Sequence, residues 1–409
     1  MNEKLRKEYA RVIVKIGANV QKGQDVIVRV STANAEIAAD IVEECYKCHA
    51  RKVTVDWMND SIRKMSLMSE SIETLSELDG LTKAKYQYMA EKLPVMIYIE
   101  DSDPDILADV PVKKMTEPRK AIYPKIKKYR DAIEGKYQWV IVAMPSLPWA
   151  KKMYPGLKPE EAMKKLERAI IKTMRMDKGD PYKNWKDHIR TLEKKAAVMN
   201  RYHFKSLHYT SSNGTDFTVG LHPKHIWCTA YEKELNGIYS CVNMPTEEVF
   251  TFPDKYTAEG VVVASKPLSY NGTLIEDFEV YFKNGKAVKV FAKKGQKQFE
   301  EMIGMDAGSC YLGEVALVPY DSPINKIGTL FYNTLFDENA SCHIALGAGI
   351  KEAIKGAKEM SIKDAVKKEN YNESMIHTDL MIGSKDMKIV GTDASGKEVT
   401  VFEKGRWAI

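Results

Sequence analysis

Several acidic residues in the second half of the chain stand next to apolar sequence. In NMPTEEVFTFPD (243–254), Glu247 and Glu248 sit side by side, with Pro245 before them and a β-favouring run after. Glu314 lies in LGEVALVP, followed directly by apolar residues. FDENASCH groups Asp337, Glu338 and His343. HTD places His377 and Asp379 two apart, so a strand would point both at one face. A lone acid beside apolar sequence is usually a capped end or a satisfied core group, because burying an unpaired carboxylate is costly. Here at least five such groups fall in one half of the chain. They are mostly carboxylates, with two imidazoles and no thiolate, a mix that suits Zn²⁺, Co²⁺ or Mn²⁺. Three or four acids need at least two divalent ions to neutralise them, which favours a dinuclear site over a single structural zinc. Strand alternation would turn only one TEE glutamate toward the metals. The other then faces solvent, unless a break near Pro245 keeps both in the pocket.

Other motifs carry less. CYKCH (45–49) has the spacing of a haem-attachment motif but ends a helical stretch and lacks a second cysteine pair, so buried packing is the better reading. LHPKHIW (221–227) sets His222 and His225 three apart, but Pro223 argues against a helix there, and both read as surface or pocket-lining residues. His188, His203 and His208 lack local partners and read as structural. No G-x-G-x-x-G follows a strand, and there is no P-loop lysine motif and no G-x-S-x-G elbow.

Two kinds of sequence must position these residues. Through the first half, short apolar strands (QDVIVRV, KVTVDW, PVMIYIE, WVIVAMP) alternate with helical stretches. That pattern predicts an α/β domain with a mostly parallel sheet covered on both faces. Residues 159–200 read as connecting helices broken at DKGDP, which closes a first domain at 1–200. Residues 201–409 read as an α+β domain that carries the metal site. DFEVYFKNGKAVKVFAKKG (277–295) is a hairpin whose Asn284-Gly285 pair suits a type I′ turn, and 350–369 reads as helical.

The chain has 409 residues, 44% hydrophobic and 29% charged, an ordinary globular composition too long for a single core. Its 62 basic and 56 acidic residues are well mixed, so no nucleic-acid stripe stands out. No apolar run approaches the roughly 18 residues of a membrane span. The opening segment, charged throughout, has no apolar signal core, and a cytoplasmic location with reduced cysteines is expected.

NMPTEEVFTFPD, LGEVALVP, TLFDENASCHIALG and NESMIHTDLMIGS resemble, in order and spacing, the thermophilic metalloaminopeptidase family, the aminopeptidase T and aminopeptidase S group. GTDFTVGL, YPGL and KGRW match as well, so the resemblance covers nearly the whole chain. It implies an exopeptidase that removes N-terminal residues from short peptides with a free N-terminus. It also implies two divalent metal ions (Zn, Co, Mn or Mg) and a homodimer, with neither nucleic acid nor membrane as partner. By position in the motifs the metal ligands are Glu248, Glu314, His343, His377 and Asp379, with Glu338 a further ligand or a supporting acid. Glu247 is left to orient or deprotonate the attacking water, with Glu338 the alternative base, and Glu247 and Glu248 are both read as catalytic. One residue departs from the family pattern: Ile350 stands where a tyrosine is usual, seven residues after His343. Two other readings share these residues: a different dinuclear hydrolase such as an amidase, and a homologue that binds peptides without cleaving them.

Overall fold

The computed structural model describes residues 1–101 and 103–409. The chain divides into two compact units. One comprises Met1–Lys186 with Tyr231–Met244, and the other Asp187–Ala230 with Pro245–Ile409.

The first unit is built on a four-stranded parallel sheet, as the alternating pattern predicts. β1 (Asp25–Ser31), β2 (Lys52–Met58), β3 (Val95–Glu100) and β4 (Trp139–Ala143) lie in the order β2-β1-β3-β4. Val28 and Ile97 are buried on one face and Ile27 and Met96 on the other, so the central strands are covered on both faces. β2 differs. It is an edge strand, and Lys52, Thr54 and Trp57 are exposed. The helix Ala35–Lys47 follows β1 and buries Ile37, Ala38, Ile41 and Cys45. Cys45 is a packing residue whose thiol burial pushes up to about 12, and none of the six cysteines is in a disulfide.

The second unit holds two antiparallel sheets of different size. The larger has nine strands. It runs from Leu268–Tyr270 through Thr273–Lys283, Glu259–Val263, Asp216–Gly220, Ser206–Thr210, Lys388–Thr392 and Glu398–Glu403 to Arg406–Trp407, with Lys286–Lys294 paired to Thr273–Lys283. Asn284 and Gly285 turn that last hairpin with φ of 50° and 79°, as a type I′ turn requires. The smaller sheet comprises β5 (Val249–Thr251), β6 (Leu312–Leu317), β7 (His343–Gly347) and β8 (His377–Met381), in the order β8-β7-β6-β5. Every residue of β6 and β7 is buried. The expected helix over 350–369 is shorter than the sequence suggests. Gly356 adopts φ +81°, which ends the first turn, and Ser361 caps a new helix, Ile362–Glu369, by accepting from the Asp364 N–H.

His222 and His225 are buried, so of the two readings, surface or pocket-lining, the surface one does not hold. His225 stacks on His203 at 4.4 Å, and its Nδ1–H donates to the His222 carbonyl at 2.8 Å. Burial, only partly opposed by that bond, pushes the His225 imidazole down from 6.5 to about 4, with His203 and His222 also disfavouring the cation. The unfolded chain takes up this proton near pH 6.5 and the folded chain only near pH 4. Stability is therefore intact above pH 6.5 and falls as the pH drops toward 4, by roughly 3 kcal/mol from this residue. Denaturant titrations across that window should show a shallower acid slope for His225→Phe than for the wild type.

Candidate metal centre

The small sheet brings the acids and imidazoles together through its register. Glu314 on β6 pairs with Ala345 on β7, which pairs with Asp379 on β8. His377 pairs with Gly347, and His343 with Ala316. Paired residues of an antiparallel sheet point to the same face, so these seven positions share one face, and each is small or functional. Ala345, Ala316 and Gly347 leave the space that the long side chains beside them fill.

Glycines set two of the angles. Pairing shifts register between Leu312 and Glu314, and a Cβ on Gly313 would lie 2.2 Å from the Ala348 carbonyl oxygen. Only glycine fits that bulge, which re-aims Glu314. Gly347 has φ +109°, and a Cβ there would lie 2.1 Å from the Ile376 carbonyl oxygen. Buried polar groups hold the strand entries. Asn372 donates to the carbonyls of Gly347 (2.6 Å) and Gly308 (2.9 Å), just before β8. Asp306 accepts from the Ser374 hydroxyl (2.9 Å) and the Met375 N–H (2.6 Å) in the same segment.

The resulting cluster contains two triads that share one residue. Donor atoms of Glu248, Glu314 and His343 lie within 4.8 Å of one another, and so do those of Glu314, His377 and Asp379. His343 Nε2 is 3.2 Å from Glu248 Oε2. His377 Nε2 is 3.0 Å from Glu314 Oε2 and 3.4 Å from Asp379 Oδ1. Each imidazole turns its other nitrogen to a carbonyl: His377 Nδ1 to Ala348 at 2.7 Å, His343 Nδ1 to Ser341 at 3.3 Å. A carbonyl only accepts, so Nδ1 carries the hydrogen and Nε2 turns its lone pair toward the acids. The structure thus joins five of the sequence-predicted residues. Glu338, buried in the turn Glu338–Ala340, is hydrogen-bonded to Asp379 at the edge of the second triad.

Both TEE glutamates are buried, because Thr246, Glu247 and Glu248 precede β5 and escape its alternation. Glu248 enters a triad. Glu247 is outside both, with Oε2 3.8 Å from Nε2 of His188. That nitrogen also donates to the Thr246 carbonyl at 2.7 Å. His188 therefore lies at the site, which its sequence neighbours do not signal. Asp337 serves its own loop by accepting from the N–H groups of Phe331 (2.8 Å) and Asn333 (3.1 Å). Ile350 packs half-buried against the apolar cluster that includes Phe252 and Tyr371, and the Tyr371 hydroxyl donates to the Gly349 carbonyl at 2.6 Å.

Burial, reinforced by neighbouring carboxylates, pushes Glu338 far above the ordinary range and Glu248 upward, the latter eased by its bond to His343. Burial disfavours both imidazolium ions, yet the facing acids raise His343 to about 9 and hold His377 well above its ordinary value. Burial works against the Asp379 carboxylate too, but His377 and His343 hold it down to about 2. These shifts describe a site crowded with negative charge and calling for cations. Oxygen and imidazole donors without thiolate fit divalent metals.

The sequence profile of the thermophilic metalloprotease (M29) family matches residues 1–407. The chain belongs to this family. Aminopeptidase AmpS of Bacillus subtilis (strain 168) is 41% identical over 401 residues, covering 98% of this chain and 97% of that one. Aminopeptidase PepS of Streptococcus thermophilus is 38% identical over 404 residues, with the same coverage. The solved structure of wild-type AmpT from Thermus thermophilus superposes over 100% of both chains with a TM-score of 0.90 at 34% identity. The α/β and α+β architecture is thus that of an M29 protein, and membership of a metalloprotease family carries a divalent-metal requirement. Among the described residues, no helix is long and apolar enough to cross a membrane.

Gly313→Ala should lower the unfolding free energy by about 1–3 kcal/mol, as overpacking at a closed contact does. Because the bulge aims Glu314, the variant should also bind metal more weakly. Denaturant titration and metal-binding calorimetry measure the two effects separately.

Proposed function

We propose that the protein is a metal-dependent aminopeptidase that removes N-terminal residues from short peptides at a pair of divalent ions. The observation that carries this reading is the sharing of Glu314 by two donor triads. Glu248, Glu314 and His343 would hold one ion, and Glu314, His377 and Asp379 the other, with Glu338 supporting Asp379. When bound, the metals supply Lewis acidity for the scissile carbonyl and acidify water.

The remaining work falls to the chain. Glu247 is the carboxylate beside Glu248 that belongs to neither triad, and it is assigned to take the proton of the attacking water and pass it to the leaving amine. His188, 3.8 Å away, orients it. Family membership and relatives named as aminopeptidases favour this activity over an amidase or a non-cleaving peptide binder. The resemblance further supports a cytoplasmic homodimer. Native metal choice among Zn, Co, Mn and Mg is open to each of these ions by donor chemistry.

Chelator-stripped protein should regain hydrolysis of aminoacyl-p-nitroanilides when a divalent metal is returned, and should leave N-acetylated analogues intact. Glu314→Gln should reduce turnover by more than about 100-fold, since even outer partners of metal ligands contribute 10–100-fold. Equal cleavage of blocked and free substrates would refute exopeptidase action.

A further inference from the structure

Asn339 stands between the two chain segments that bring Glu248 and Glu338 to the site. Its side chain is wholly buried in the turn that follows Asp337. Oδ1 accepts from the Glu247 N–H at 2.7 Å, across 92 residues of sequence. Nδ2 donates to the Leu335 carbonyl at 3.0 Å and to Glu338 Oε1 at 3.3 Å. The orientation of the amide is determined by its partners. A backbone N–H can only donate and a carbonyl can only accept, so turning the amide over would set donor against donor and acceptor against acceptor.

We propose that Asn339 is a positioning residue of the metal centre, holding the main chain ahead of Glu248 and the carboxylate of Glu338 in one register. One rigid group thereby links the start of the first triad to the acid that supports the second. Glu338 carries only part of its hydrogen bonding to Asp379, and the Asn339 donor fixes the rotation of the carboxylate that makes that bond. On the other side, the N–H of Glu247 is buried in an irregular segment outside any ladder, and Oδ1 is the acceptor that satisfies it. Removal of the amide would free both segments at once. The inference rests on the ligand assignment proposed above.

Asn339→Ala and the milder Asn339→Ser test it, with Co²⁺ titrated into metal-free protein and thermal unfolding recorded with and without Co²⁺. A positioning role predicts Co²⁺ affinity about 10–100-fold weaker in both variants, in the range that partners of metal ligands contribute. It also predicts that the rise in Tm on adding Co²⁺ shrinks by more than the Tm of the metal-free protein falls. Wild-type affinity in folded variants would overturn the inference, as would equal loss of Tm with and without Co²⁺, which is the signature of a merely structural amide. If the wild type itself neither binds Co²⁺ nor gains Tm from it, the ligand assignment fails and takes this inference with it.

Discussion

Four carboxylates cannot share a buried space without positive charge among them. Glu248, Glu314, Glu338 and Asp379 are each less than a tenth exposed. Glu338 keeps a proton that it donates to Asp379, and protonation of His343 and His377 would offset two of the remaining charges but would block the nitrogens that face them. Two divalent ions would offset the whole set and would leave both imidazoles neutral, free to act as ligands. Breaking such a set by removing one member leaves an uncompensated charge in a low-dielectric space, which is why each residue depends on the others.

The architecture of the second unit serves that constraint. A short four-stranded sheet, buried on its central strands, presents Glu314, His343, His377 and Asp379 from three adjacent strands at fixed spacing. Small residues between them make room, and Gly313 and Gly347 allow backbone approaches that a Cβ would forbid. The loops on either side are tied by buried amides and carboxylates such as Asn372 and Asp306, not by hydrophobic packing alone. Such ties are directional, and a metal site needs its ligands placed to within a fraction of an ångström.

Much of this was legible in residue types and local spacing. The carboxylate-rich set with two imidazoles points to metals, HTD puts His377 and Asp379 on one face of a strand, and the Asn284-Gly285 turn follows from positive φ. The parallel sheet of the first unit follows from its apolar strands, save that β2 lies at an edge, a property set by sheet order and not by strand composition. What stayed hidden depends on distance in the sequence. No local pattern announces that Asn339 meets Glu247 or that His188 meets Thr246, because those bonds span 92 and 58 residues. Nor does LGEVALVP reveal a bulge, since Gly313 needs it only once Ala348 is placed beside it. The end of strand pairing before Val249, which keeps both TEE glutamates inside, is likewise a tertiary fact.

The central claim is that Glu314 lies between two metal ions. Crystals of metal-loaded protein, measured at the absorption edge of the bound metal, test it most directly. The account predicts two anomalous peaks per chain, one bounded by Glu248, Glu314 and His343 and the other by Glu314, His377 and Asp379. A single peak, or peaks that do not touch Glu314, would contradict it.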